Sequence, residues 1–550
     1  MKQSELAGKV VYQIYVKSFQ DSNGDGIGDL PGVTSRLDYL AGLGVDYLWL
    51  TPIYPSPQRD NGYDVADYRA INPQYGTMQD FETLCAEAKK RGIGIMLDMV
   101  FNHTSTDNQW FQKAIAGDKT YQDYYIWRDG VPGTPPTNWE SKFGGSAWQW
   151  EEHVGKYYLH LFDVTQADLN WENPAVRREV CDILHFWRGK GVDAFRFDVV
   201  NLISKPDVFE DDDRGDGRRF YTDGPRIHQY LKELHAQGFG DAVTVGEMSS
   251  TSLDNCVRYT NPDEGELSMV FSFHHLKTDY KNGDKWQLEP NRFGELKALL
   301  DKWQLGMQAG GGWNAVFWCN HDQPRPVSRF GDEGRYREVS AKMLATAIHM
   351  LRGTPYIYQG EELGMTNAHF TRLDQYRDVE STNRYYILKE QGVPEEEIFR
   401  ILGARSRDNG RTPMQWTAGP NGGFTTGTPW LAVNENTAAI NAAACLADPD
   451  SVLHYYKKLV ALRKQYPVIQ VGEYAPLMTG SPHVYAYTRT LGDETLVVVC
   501  NFCARPAAVT LPALPGAPER LIGSWDEQPY APSMTLRPYE AAVYRFAAQG

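Results

Sequence analysis

Cysteine is scarce in this chain: seven in 550 residues, at Cys85, Cys181, Cys256, Cys319, Cys445, Cys500 and Cys503. So few, so scattered, exclude a small scaffold stapled by disulfides. Only Cys500 and Cys503 have CxxC spacing, inside an apolar strand pattern (Leu496 to Phe502) with no second Cys or His pair nearby. Buried, reduced thiols are expected rather than zinc or redox chemistry. Long hydrophobic runs are also missing, and no window approaches the roughly 20 apolar residues that span a bilayer. The opening Met1-Lys2-Gln3-Ser4-Glu5 has no apolar core of a secretion signal and carries an acid, so a cytoplasmic protein is expected. Positive charge is in deficit, with 55 Lys and Arg against 70 Asp and Glu, a formal net charge of −15. That sign argues against nucleic acid or a membrane surface as partner. A monomer acting on a small molecule is the expectation, and any local cluster of lysines stands out.

What is present is an alternation. Short β-branched or aromatic runs predict strands at Val10–Val16, Tyr47–Tyr54, Ile93–Phe101, Val192–Val200, Ala242–Met248, Met269–Phe273, Ala315–Cys319 and Tyr356–Gln359. Amphipathic stretches lie between most of them, among them Asp80–Arg91, Val176–Lys190, Phe293–Leu305 and Arg335–Leu351. Eight strands in repeated β-then-α order predict an α/β fold, a parallel (β/α)8 TIM barrel. The barrel is expected from 1–103 and 174–470. A Trp-, Gly- and Pro-rich insertion at 104–173 follows the third strand, and a second one, 364–429, follows the eighth. Short strands broken by Gly and Pro predict a C-terminal all-β domain at 471–550.

Barrel enzymes build their chemistry at the carboxyl ends of the strands. Here the third strand ends in Asp98-Met-Val-Phe-Asn102-His103, the fourth in Arg196-Phe-Asp198, the fifth in Gly246-Glu247 and the seventh in Asn320-His321-Asp322. Four charged endings on one rim are poorly explained as caps or surface turns, because like charges repel in a partly dry cleft. Two carboxyl groups roughly 5–5.5 Å apart are what retaining glycoside cleavage needs, one to attack the anomeric carbon and one to protonate the leaving oxygen. Asp198, two residues from Arg196, should stay ionised as a nucleophile. Glu247 has no base adjacent in sequence and suits a general acid.

These four segments resemble the α-amylase-type glycoside hydrolase family, which is retaining and built on a (β/α)8 barrel. The resemblance implies Asp198 as nucleophile, Glu247 as acid/base and Asp322 as transition-state stabiliser, with no catalytic cofactor. It places His103, Arg196 and His321 on the same sugar ring, Asp60 and Tyr63 in the glucose pocket, and Arg407 at its closure. Phe143 and Phe162 join the substrate-binding set. Val199 after the nucleophile, Asn320-His-Asp-Gln-Pro-Arg325 and Gly353–Met365 resemble the oligo-1,6-glucosidase group. Its trehalose-6-phosphate-hydrolase branch is similar along nearly the whole chain, including Lys142–Trp148, Gln166–Asn173, Asp216–Pro225, Gly246–Thr251 and His274–Lys277. The stretch His274 to Lys285 puts Lys277, Lys281 and Lys285 just after the sixth strand of an acidic protein. With the resemblance, His274, Lys277 and Lys285 become candidates for holding a sugar phosphate; without it, these lysines would balance Asp279 and Asp284. The implied reaction is hydrolysis of trehalose 6-phosphate, with an oligo-1,6-glucosidase as the alternative. A sucrose isomerase is disfavoured by the lack of its characteristic Arg-rich segment after the sixth strand. A catalytically dead binding module is disfavoured by the complete acid set.

Asp21-Ser-Asn23-Gly-Asp25-Gly26-Ile27-Gly-Asp29 repeats the first part of an EF-hand loop. Oxygen donors alternate at Asp21, Asn23 and Asp25, Ile27 offers a carbonyl, and Asp29 follows. A structural Ca²⁺ is expected there, although Gly32 stands where the loop's final Glu would be; the competing reading is an Asn/Asp/Gly turn.

Overall fold

The computed structural model describes residues 3–547. All eight expected strands are present, as β1 (Val11–Ile14), β2 (Tyr47–Leu50), β3 (Gly94–Met99), β4 (Ala194–Phe197), β5 (Val243–Met248), β6 (Met269–Ser272), β7 (Asn314–Val316) and β8 (Thr354–Tyr358). They close into a barrel in which each strand lies between its neighbours in sequence and β8 returns to β1. The pairs β3–β4, β4–β5, β5–β6, β7–β8 and β8–β1 are parallel. Strands such as β1, β4 and β8 are buried at every position, which is why they read as continuous apolar runs rather than alternating ones. The strands are shorter than the apolar runs suggest. The expected strand Val192–Val200 stops at Phe197, because Val199 turns the chain away at φ 33°, a left-handed conformation unusual for a β-branched residue.

The chain divides into two compact units. The first holds Trp49–Lys89 and Gly94–Ser272. Its helix Pro174–Gly189 starts at Asn173, whose side chain accepts from the Ala175 amide, with Pro at the first turn where no donor is lost. Val176, Val180, Ile183, Leu184 and Trp187 form its buried stripe. The inserted segment carries a three-stranded antiparallel sheet, Trp127–Arg128, Lys156–Leu159 and Trp148–Glu151. A separate pair, His103–Ser105 with Gln166–Asp168, runs straight on from the end of β3. Trp139, Trp148, Tyr157 and Leu159 pack with Val199 and Leu202, so the turn after β4 sits in the insertion's own core.

Among the described residues, the second unit holds those up to Leu48, Lys90–Ile93 and those from Phe273 onward. After β8, the helices Val379–Glu390 and Glu395–Arg405 pack through Tyr385, Leu388, Ile398 and Leu402 against Trp286 and Phe370. Residues 473–547 form a five-stranded antiparallel sheet and a two-stranded one around Val484, Val497, Val499, Leu536 and Phe546. The loop after β1 is stitched to the segment 411–430. Asp21 donates its amide to the Phe424 carbonyl and accepts from Thr425 Oγ1 at 2.5 Å. Trp430 donates its amide to the Gly26 carbonyl. Gly26, at φ +91°, passes so near that a Cβ would lie 1.8 Å from the Thr428 carbonyl oxygen. Among the described residues no helix is long and apolar enough to cross a membrane.

Candidate active site

In the first unit the charged strand ends converge on one guanidinium. Asp98 and Arg196 are register partners on β3 and β4, and Val245 of β5 lies opposite Arg196. With a period of two along each strand, Asp98, Arg196, Asp198 and Glu247 therefore project to the same face. Arg196 Nη1 donates to Asp98 Oδ1 at 2.6 Å and to Asp198 Oδ1 at 2.7 Å, and its Nη2 pairs with Glu247 Oε2. The expectation that Glu247 lacks a neighbouring base is thus corrected. Adjacency along the chain misses it because Arg196 reaches across from the neighbouring strand. Asp98 is fully buried, and burial pushes its pKa up to about 6, opposed by Arg196 and assisted by Asp198. Arg196 stays charged: burial opposes its charge, but Asp98 and Asp198 outweigh burial.

The remaining candidates of this unit form the wall around that cluster. Tyr63 donates its hydroxyl to Asp98 Oδ2 at 2.9 Å, and Trp49 Nε1 joins it at 3.1 Å. Gln166 Nε2 donates to Asp60 Oδ2 at 3.1 Å and lies 3.2 Å from His103 Nε2. Burial holds the His103 pKa below its usual range, against the pull of Asp168 and Asp198. Its ring packs on Phe162 at 5.2 Å between centroids, and Phe162 meets Phe143 edge-on at 5.7 Å. Sequence reasoning left Asp98 and Gln166 without a role. Asp98 carried a signal, as the first acid of a strand ending, and Gln166 carried one only as the first residue of the Gln166–Asn173 segment of the resemblance, which gave it no role of its own.

The second unit holds His321, Asp322 and Arg407. His321 is fully buried, 2.8 Å from Gln13 Nε2 through Nδ1 and stacked on Tyr15 at 6.1 Å. Asp322 accepts from Arg411 Nη2 at 2.7 Å and lies 3.6 Å from Arg407 Nη1. Burial alone would raise the pKa of Asp322, but His321, Arg407 and Arg411 hold it well below the carboxylate range. Arg407 is anchored by Asp378 Oδ1, at 2.6 Å from Nη2 and 2.8 Å from Nε. Arg411 and Asp378 are therefore site residues that the sequence did not single out. Both are fully buried charges, recognisable only once their partners are brought together.

The lysine-rich segment after β6 lies in the same unit. Asp279 is bound by Arg329 and Arg405 at 2.8 and 2.5 Å, so it does not need these lysines to balance it. Lys285 Nζ instead lies 2.6 Å from Glu380 Oε2, which is 3.6 Å from Arg407 Nε. Lys277 and Lys281 are exposed. His274 packs its ring on Trp303 at 4.5 Å, and burial, with Lys277 and Lys302 nearby, pushes its pKa down to about 4.

In the EF-hand-like loop, Asp21 accepts from the amides of Asn23, Gly24 and Gly26 and from Thr425. Asp29 accepts from Gly32 and Ser22. Asn23 and Asp25, both exposed, each accept one amide two residues on. Among the described residues no group of three His, Cys, Asp or Glu side chains is placed to hold a metal. The loop's turn chemistry accounts for these bonds. Asn23 and Asp25 still keep oxygen lone pairs toward solvent, the donor type that calcium takes.

A closed parallel barrel with carboxylates gathered at its strand ends is an arrangement that glycoside cleavage can use. The chain belongs to the α-amylase family of glycoside hydrolases: the family model for the α-amylase catalytic domain matches residues 13–472, and that for the maltogenic amylase C-terminal domain matches 476–543. It is 58% identical to a trehalose-6-phosphate hydrolase of Bacillus subtilis, over 98% of this chain and 97% of that one. It is 49% identical to an oligo-1,6-glucosidase of Parageobacillus thermoglucosidasius, over 98% of each. The crystal structure of Bacillus licheniformis trehalose-6-phosphate hydrolase superposes with a TM-score of 0.95 at 56% identity, covering 98% of this chain and 99% of that one.

Proposed function

We propose that this enzyme hydrolyses α,α-trehalose 6-phosphate to glucose and glucose 6-phosphate with retention at the anomeric carbon, as a cytoplasmic monomer. The Asp198 carboxylate attacks the anomeric carbon of the unmodified glucose while Glu247 gives its proton to the departing oxygen of glucose 6-phosphate. Water then attacks the glucosyl ester on Asp198, Glu247 takes the water's proton, and α-glucose leaves. Asp322 stabilises the charge that develops on the ring. Asp198 and Glu247 share the two terminal nitrogens of one guanidinium, which suits the short, roughly 5–5.5 Å separation of retaining enzymes. Three carboxylates on a single cation also favour keeping a proton within the cluster, as an acid catalyst requires.

The observation that carries the substrate is the docking of Lys285 beside Arg407 in a protein of net charge −15. A cation held next to the residue assigned to close the glucose pocket suits a substrate whose second sugar bears phosphate, and the name of the Bacillus subtilis relative agrees. The oligo-1,6-glucosidase reading stays second, favoured by the 49% identity to such an enzyme. Side-by-side initial rates on trehalose 6-phosphate, trehalose and isomaltose test the assignment. A wild-type preference for isomaltose would replace it with the second reading.

The loop Asp21–Asp29 is proposed to take a structural Ca²⁺ through Asp25, Asn23 and the Ile27 carbonyl, with Asp21 and Asp29 holding the loop in shape through the amides they accept. It would brace the stitch to residues 424–430 rather than take part in the reaction.

A further inference from the structure

Strand β5 loses one neighbour just where it carries Glu247. Its last partner on β4 is Phe197, opposite Gly246, whereas on the other side Glu247 and Met248 still pair with Phe271 and Ser272 of β6. β4 has turned away, because Val199 takes φ 33° and a short 3-10 helix, Val200–Leu202, follows it. Asn201, in that helix, is fully buried and takes the place of the missing strand. Its Oδ1 accepts from the Ser249 amide at 2.9 Å, and its Nδ2 donates to the Ser249 carbonyl at 2.9 Å. One side-chain amide thus satisfies both backbone groups of one residue, as a neighbouring strand would. The second hydrogen of Nδ2 goes to Asp223 Oδ1 at 3.0 Å, and the Asp223 amide donates to the Asn201 carbonyl at 2.9 Å. Asp223, at φ 51°, also accepts from the side chains of Thr251, Asn255 and Tyr259 at 2.9, 2.8 and 2.6 Å. Its carboxylate therefore anchors Asn201 to the segment that follows Glu247.

We infer that Asn201 is a positioning residue that sets the separation of Asp198 and Glu247. The inference rests on the roles proposed for those two carboxyl groups. Asn201 lies three residues after Asp198, and Ser249 lies two after Glu247, so its paired bonds tie together the two strand ends that bear them. Without those bonds the backbone of β5 beyond Gly246 is held by β6 alone on its barrel flank. Arg196 does not replace them, because it binds the carboxylates and leaves the backbone beneath Glu247 untouched. A misplacement of about 1 Å can cost about 10²-fold in rate. Here it falls on proton delivery, since Glu247 must reach the leaving oxygen while Asp198 reaches the anomeric carbon. The chemistry also requires an amide at this position. A carboxylate would accept from the Ser249 amide but has no hydrogen for the Ser249 carbonyl, and it would face Asp223 as a like charge.

The test measures kcat/KM on p-nitrophenyl and phenyl α-glucoside, with melting curves, for wild type, Asn201→Ala, Asn201→Asp, Tyr259→Phe and Glu247→Gln. Nitrophenolate departs with little help from an acid and phenolate needs that help, so the nitrophenyl-to-phenyl ratio reports how well the acid reaches the leaving oxygen. Asn201→Ala should raise this ratio about tenfold. Asn201→Asp, which keeps the side-chain shape, should raise it too, and it decides the matter if Asn201→Ala does not fold. Tyr259→Phe removes a bond to Asp223 without touching Ser249, and should keep the wild-type ratio. Glu247→Gln should raise the ratio most. An unchanged ratio in the Asn201 variants, beside a raised one in Glu247→Gln, would overturn the positioning role alone. A ratio raised as far in Tyr259→Phe as in Asn201→Ala would overturn it too, by making the effect one of general stability. An unchanged ratio in Glu247→Gln would overturn the acid/base assignment, and the role of Asn201 with it.

Discussion

Replacing Arg196 by Gln removes the one cation shared by Asp98, Asp198 and Glu247 while leaving a side chain of similar reach. Asp98 is fully buried and Arg196 is 1% exposed, so solvent does little to screen the loss. Breaking a buried pair by removing one partner costs about 3–5 kcal/mol, because the other charge is left uncompensated. Three carboxylates on one guanidinium put the expected cost at the upper end of that range, unless the cluster takes up protons. Proton uptake gives the prediction its sign. Asp98 already has a folded pKa raised to about 6, and losing Arg196 removes the largest influence holding it down. A carboxyl with a raised folded pKa binds its proton in the folded state and releases it in the unfolded state, across the window between the two pKa values. Stability therefore falls as pH rises from about 4, the unfolded value, through the folded one. Arg196→Gln should lose several kcal/mol at pH 7.5 and regain a clear part of it at pH 5.5, while wild type changes less between the two. Urea denaturation at both pH values, followed by tryptophan fluorescence and by circular dichroism, measures this. A loss under about 1 kcal/mol, or one that does not shrink at pH 5.5, would refute an uncompensated carboxylate cluster as the cause.

Asp198→Asn should fold normally and lose several orders of magnitude in kcat, and proton NMR of wild-type products should show α-glucose first. Near-normal turnover of Asp198→Asn, or initial β-glucose, would remove the nucleophile assignment. The double variant Lys277→Ala, Lys285→Ala should lose trehalose 6-phosphate far more than p-nitrophenyl α-glucoside, each lost charge-assisted bond costing roughly 1.5–3 kcal/mol. Rising salt should imitate part of that loss; equal losses on both substrates would make the lysines structural. Chelation should lower the melting temperature, excess calcium should restore it, and Asp25→Ala should abolish the response; no calcium effect in wild type would leave the loop an ordinary turn.

The barrel was legible because each strand is apolar until it meets the rim, and Asp198, Glu247 and Asp322 appear just where that run ends. Arg196 was legible as the partner of Asp198, two residues away on the same face of the strand. Its bond to Glu247 was not, because contact between neighbouring strands depends on register, and a linear reading cannot supply register. Asp378, Glu380 and Arg411 were missed for a related reason. They lie in the irregular segment after β8, where no periodicity marks a buried face, and their partners are 29, 95 and 89 residues away. The lysines after β6 stood out by charge alone, but nothing in their spacing said that Lys285 would be bound by a carboxylate on a distant helix.

The stitch between the loop after β1 and the segment 411–430 also bears on synthesis. Asp21 and Thr425 are 404 positions apart, so the early loop leaves the ribosome long before its partner exists. At ordinary elongation rates that interval is roughly 20 to 80 s. Gly26 has no side chain to cover its backbone, and Trp430 supplies the amide that its carbonyl accepts. Until residue 430 has emerged, that carbonyl and the Asp21 site of the Thr425 bond are left to water, and only the loop's own amides hold the Asp21 carboxylate. A chain cut short before Thr425 keeps the local turn of this loop but lacks the bonds that join it to the later segment.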